Sequence, residues 1–215
     1  MRALALLIAS VLYASVMSAT PAEDADVASA WAAYEARDYK RALRAYRKAA
    51  ARNHPLAQFN LAVMLVEGKG APADAREGLD WLRKSAASGL ARAQYSLALM
   101  YDRGEHVTKS PSEATTWFLK AAEQGWRDAQ VSVATQYFLG RGAPKDLRAA
   151  AMWYERAAEQ GDEAACYIVA SMYENGDGVA RDFERAWYWY AQAAARGDRA
   201  ADIKAREVAA KLGKS

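Results

Sequence analysis

A thirty-six-residue series recurs four times and governs what this chain can become. From Ala165 it runs Ala165, Val169, Tyr173, Gly176, Gly178, Asp182, Ala186, Trp189, Ala193, Ala194 and Gly197. One period earlier it reads Ala129, Val133, Tyr137, Gly140, Gly142, Asp146, Ala150, Trp153, Ala157, Ala158 and Gly161. Earlier still come Ala93, Leu97, Tyr101, Gly104, Ser110, Ala114, Trp117, Ala121, Ala122 and Gly125. The first block has Ala57, Leu61, Leu65, Gly68, Gly70, Asp74, Gly78, Trp81, Ser85, Ala86 and Gly89. Self-similarity at this period means stacked structural units, each burying a face against its neighbours. A single array is therefore expected over separate globular domains.

Within a block, positions 1, 5 and 9 lie four apart and share one face of a helix. The first loop glycine falls just past that helix, where a left-handed backbone is cheap for glycine. The Asp at 74, 146 and 182, and Ser110 in their place, sit where an N-cap must satisfy the first amides of a second helix. Ser110-Pro111-Ser112-Glu113 has the full capping-box spacing with Pro at N1. The second helix carries a small residue, Trp, and a small pair. Trp81, Trp117, Trp153 and Trp189 are thus expected in the core. Few prolines and many Ala, Leu, Arg, Lys and Glu agree with an all-helical chain.

The block boundaries expected are 57–92, 93–128, 129–164 and 165–200. Before them, 26–56 is an irregular helix pair with a short turn at Arg37-Asp38-Tyr39. Asp38 keeps phase with Asp74, as an N-terminal cap would. Residues 201–215 leave room for one polar capping helix.

Residues 1–19 have a charged start, an apolar run and small residues, the layout of an export signal. Cleavage is expected after Ser18, Ala19 or Ala22, with 20–25 as a linker, and a periplasmic or secreted product. An uncleaved N-terminal anchor is the alternative. No Cys follows the run, which excludes a lipid-anchored start.

Twenty-nine Lys and Arg against twenty-six Asp and Glu leave a net charge of +3 without a basic run, so no nucleic-acid partner is expected. Cys166 is the only cysteine, so no internal disulfide forms. His54 and His106 lie far apart, and no metal or other cofactor is expected. Cys166 on a packed helix reads as an inert thiol, and His106 in a loop glycine position reads as a residue tolerating an unusual backbone angle. The repeated Asp residues have a full explanation as caps, and no nucleophile–base–acid cluster is visible. The chain is not expected to be an enzyme.

The pattern A-x-x-x-L-x-x-x-Y-x-x-G-x-G-x-x-x-D-x-x-x-A-x-x-W-x-x-x-A-A-x-x-G over 57–200 resembles the Sel1-like repeat, a relative of the tetratricopeptide repeat. Residues 26–52 resemble a tetratricopeptide unit through Asp38-Tyr39-x-x-Ala42 and Tyr46. His106 and Leu65 depart from the pattern. The resemblance implies a right-handed α-solenoid of antiparallel helix pairs with capping helices, its first helices lining a concave face. By tetratricopeptide geometry, unit positions 3, 7, 10 and 11 lean toward that face. The residues implied as partner contacts are Phe59, Val63, Tyr95, Leu99, Asp102, Arg103, Thr135, Phe138, Tyr167, Ser171 and Glu174. Position 3 (Phe59, Tyr95, Val131, Tyr167 and, in the cap, Ile203) is either groove or core. Trp126 stands where later blocks have Asp162 and Asp198, and either folds onto its neighbour's loop or marks a contact. The function expected is a monomeric scaffold that holds another protein or a peptide. A binder of a peptidoglycan-type polymer and a hydrolase on the repeat scaffold are the alternatives.

Overall fold

A computed structural model describes residues 21–214, and over them the chain is helical throughout. The export segment expected at 1–19 lies outside the described residues. The helices are α1 (Pro21–Glu35), α2 (Tyr39–Ala50), α3 (Pro55–Glu67), α4 (Ala75–Ala87), α5 (Ala91–Arg103), α6 (Pro111–Glu123), α7 (Arg127–Leu139), α8 (Leu147–Glu159), α9 (Glu163–Asn175), α10 (Phe183–Ala194) and α11 (Arg199–Lys211). The described residues fall into two compact units divided after Lys109, the first holding α1–α5 and the second α6–α11. In each unit, every helix packs against the next in sequence.

The helix boundaries follow from the capping chemistry. Asp38, Asp74, Asp146 and Asp182 accept the amides of Arg41, Glu77, Ala149 and Arg185, and Ser110 accepts that of Glu113. Gly68, Gly104, Gly140 and Gly176 end α3, α5, α7 and α9 in the left-handed conformation. A second set of caps opens some of the first helices of the pairs and the C-terminal helix. His54, Asp162 and Asp198 accept the amides of Ala57, Ala165 and Ala201, opening α3, α9 and α11. Leu90 and Trp126 occupy the same place before α5 and α7 without a side-chain cap.

A second repeated bond crosses the turns that lead from a second helix into α3, α5, α7 and α9. Gln58, Gln94 and Gln130 donate to the carbonyls of Ala50, Ala86 and Ala122 at 3.3, 3.1 and 3.3 Å. Cys166 takes that place in the last block, its thiol directed at the Ala158 carbonyl at 3.7 Å. It is fully buried, and burial raises its pKa above the ordinary thiol value. That burial is what an inert thiol requires.

The tryptophans need a correction. Trp153 and Trp189 are buried, as expected of core residues. Trp81 and Trp117 are only half-buried, each with its outer face covered by a lysine ammonium, Lys84 and Lys120, 4.0 Å from the ring centroid. The Lys one turn on shields a ring that the neighbouring helices do not enclose.

Candidate partner-binding surface

Unit positions 3, 7 and 10 are spaced i, i+4 and i+7, so on a straight helix they form one stripe. In the first unit much of that stripe is not surface. Phe59 and Val63 of α3 are 2% and 3% exposed and belong to the core, so neither is available to a partner. Phe59 lies beneath the Arg92 guanidinium, 5.7 Å from ring centroid to Cζ. The reason is local, because α3 buries eight of its residues (Ala57, Gln58, Phe59, Leu61, Ala62, Val63, Met64 and Leu65) and has no wet face of ordinary width. On α5, Tyr95, Leu99 and Asp102 are half-buried and Arg103 is exposed, 3.8 Å from Glu105.

The second unit keeps the stripe at the surface. On α7, Val131, Thr135 and Phe138 are half-buried. The Thr135 hydroxyl shares a 2.9 Å hydrogen bond with the Tyr154 hydroxyl and lies 2.8 Å from the Val131 carbonyl, to which it donates. Phe138 has the Lys145 ammonium 6.0 Å from its ring centroid. On α9, Tyr167, Ser171 and Glu174 are half-buried. Tyr167 meets Tyr190 edge-on with centroids 5.2 Å apart. Ser171 accepts from the Asn175 amide at 3.3 Å. On α11, Ile203 is 59% exposed, a large apolar side chain left in water at the position-3 register.

Glu174 is a charge of this stripe that two side chains hold in place. Tyr190 donates to one carboxylate oxygen at 3.1 Å and Lys211 to the other at 2.7 Å. Burial opposes its charge, yet the hydrogen bonds from Lys211 and Tyr190, with the fields of Lys204 and Lys211, hold its carboxyl below the usual range. For Tyr190 the larger causes act in one direction, against a smaller opposing hydrogen bond with Ser171. Burial and the adjacent Glu174 charge push its hydroxyl well above the ordinary tyrosine value.

The stripe therefore carries Tyr167 and Ile203 at position 3 of their blocks and Phe138 and the fixed Glu174 carboxylate at position 10, with the Lys211 ammonium on that carboxylate. Two of its supports, Tyr154 and Tyr190, were missed from the sequence. Both come from second helices at unit position 26, which reads Leu82, Phe118, Tyr154 and Tyr190 down the chain. The change from hydrocarbon to phenol was the available signal, since a buried hydroxyl needs a partner across the helix pair. Trp126 is half-buried at the start of α7. His106 has φ of 60°, the left-handed conformation expected of it.

The Sel1 repeat model matches at residues 34–54, 55–90, 91–126, 127–162 and 163–198. A protective antigen present in uropathogenic Escherichia coli strains, displaying an SLR fold, superposes with a TM-score of 0.80 at 30% identity, over 90% of this chain. This chain spans 42% of that antigen's length. A Sel1 repeat protein from Oxalobacter formigenes superposes with a TM-score of 0.77 at 31% identity, over 84% of this chain and 74% of that one. No curated protein matches the sequence. With five matched repeats running from 34 to 198, over the helices that the Asp and Gly caps delimit, the chain belongs to the Sel1 repeat family.

Proposed function

We propose that this Sel1 repeat scaffold is exported and holds a protein or peptide along the exposed stripe of its first helices. Sel1 repeats serve in general as protein–protein interaction scaffolds, so the binding class follows from the family. The observation that supports this location is the set of side chains that α7, α9 and α11 leave partly open at positions 3 and 10. It combines half-buried Phe138 and Tyr167 and exposed Ile203 with a Glu174 carboxylate fixed by Tyr190 and Lys211. Aromatic anchors beside ordered charge are what a peptide-reading surface uses. In the first unit, taken by itself, Tyr95, Leu99, Asp102 and Arg103 are proposed as contacts, without Phe59 and Val63. Export rests on the signal-like composition of 1–19, with the repeats assigned to 57–92, 93–128, 129–164 and 165–200. None of the described helices is long and apolar enough to cross a membrane.

The test of the surface is Tyr167→Ala combined with Ile203→Glu in affinity capture from the native envelope. Partners held by the wild-type chain should be lost while the helical circular dichroism stays intact. Capture unchanged in the double variant would refute the location. For export, the mature protein should start between Ala19 and Glu23 on N-terminal sequencing, and a start at Met1 would contradict it.

A further inference from the structure

The loops between first and second helices differ at one place. At Gly70, Gly142 and Gly178 the loop backbone lies against the first residue of the preceding second helix. An added Cβ would stand 2.4 Å from the Tyr39 carbonyl oxygen, 2.2 Å from that of Pro111 and 2.3 Å from that of Leu147. His106 holds the equivalent position in the loop after α5, and it has a Cβ. A side chain there cannot repeat that approach against the start of α4, so the loop must stand off.

The space beside it is a cleft of about 290 Å3. Val63 and Val66 of α3, Leu79 and Leu82 of α4 and Met100 of α5 form its walls, and Glu67, Glu105 and His106 bring its polar groups. A second departure from the repeat meets the first. Gly78 also lines the cleft, where later blocks have Ala114, Ala150 and Ala186, and a Cβ on it would stand 2.7 Å from Val66 Cγ2. The volume is at the lower end of the ~300–1,000 Å3 of small-molecule sites.

We propose that this cleft binds a small molecule with an apolar body and a cationic amine head. The walls are hydrocarbon and offer an apolar group a favourable transfer from water. The charged lining groups are two carboxylates, which only accept hydrogen bonds when ionised. Glu67 has Lys69 at 2.9 Å, and Glu105 has Arg103 at 3.8 Å, a separation at which a closer donor competes. An anion would meet both carboxylates, and a neutral molecule would bring no donor to Glu105, whose Arg103 partner stands 3.8 Å away while Lys69 already holds Glu67. An ammonium group supplies Glu105 with that closer, charge-assisted donor. This site is independent of the partner-binding stripe and stands or falls apart from it.

The full chain, labelled at its Val, Leu and Met methyl groups, tests the proposal by NMR titration with phenethylamine, 2-phenylethanol and 3-phenylpropionate. Saturable shifts are expected at Val63, Val66, Leu79, Leu82 and Met100, with the amine bound ~10-fold tighter than the alcohol and the carboxylate weakest. His106→Gly restores the residue of the other loops and should close the cleft, weakening the amine ~10-fold or more without lowering the melting midpoint. Glu105→Gln keeps the cleft open and should narrow the amine's advantage over the alcohol. Absence of saturable shifts at these methyls, unchanged binding by His106→Gly, or an alcohol that binds as tightly as the amine would each overturn it.

Discussion

Asp182 and Cys166 show how much structural meaning a single position carries in this chain. The Asp182 carboxylate accepts the Arg185 amide at 3.0 Å, one of the orphan donors that every helix start must satisfy. Asp182→Ala should lower stability by ~1 kcal/mol, read by urea denaturation, and a neutral result would remove the capping account. Cys166 stands in a column of buried glutamines and points a weaker donor at the same kind of carbonyl. With its thiol buried and its pKa raised, it should react with iodoacetamide only when the chain is unfolded. Rapid labelling of the native protein would contradict that placement. The caps from Asp74 to Asp182 were legible because capping is local, with the carboxylate and the amide it serves three residues apart. The glutamine column was not, since Gln58 and Ala50 meet across a turn whose path the sequence does not state.

The loop between helices of a pair is where one element limits another. Gly178 has φ of 74°, and a Cβ there would lie 2.3 Å from the carbonyl of Leu147, so two separate penalties coincide. Gly178→Ala should therefore cost more than the ~1 kcal/mol of a strained backbone alone, with Tm as the measurement. A cost no larger than that would mean the loop moves freely off α8. The second helices make a graded prediction. Trp189 is 7% exposed, and Trp189→Ala should cost ~3–5 kcal/mol. Half-buried Trp81, covered on one face by Lys84, should cost clearly less when changed to Ala. Equal losses would contradict the difference in burial. Periodicity placed all four tryptophans on one face, but enclosure depends on what the neighbouring helices present, which no single block contains. The same limit explains the candidate surface. Position 3 is core at Phe59, half-buried at Tyr167 and open at Ile203, three fates for one register. The braces of Thr135 and Glu174 came from the other helix of the pair, through Tyr154 and Tyr190.

Taken over both units, buried proton donors give the chain a characteristic alkaline weakness. Burial raises the pKa of Cys166 and of Tyr46, Tyr154, Tyr173 and Tyr190, so the fold favours their neutral forms. The unfolded chain releases these protons near pH ~8.5 for Cys and ~10 for Tyr. Stability from these groups is thus complete below about pH 8 and declines as pH rises through and beyond those values. A thermal melting series should be level near neutrality and fall above pH ~9, and a Tm unchanged to pH ~11 would be inconsistent with the buried phenols. Glu174 acts in the opposite sense, its contribution fading as pH falls below the ordinary carboxylate range. The turn-spanning bonds from Gln58, Gln94, Gln130 and Cys166 each reach back eight residues, so donor and acceptor always travel in one short piece of chain. A gene segment cut within the loops between paired helices and copied or lost as a thirty-six-residue cassette leaves none of these donors stranded. A lineage can lengthen or shorten such a protein in whole blocks, and adjust the reach of its surface, without repairing a broken bond at each junction.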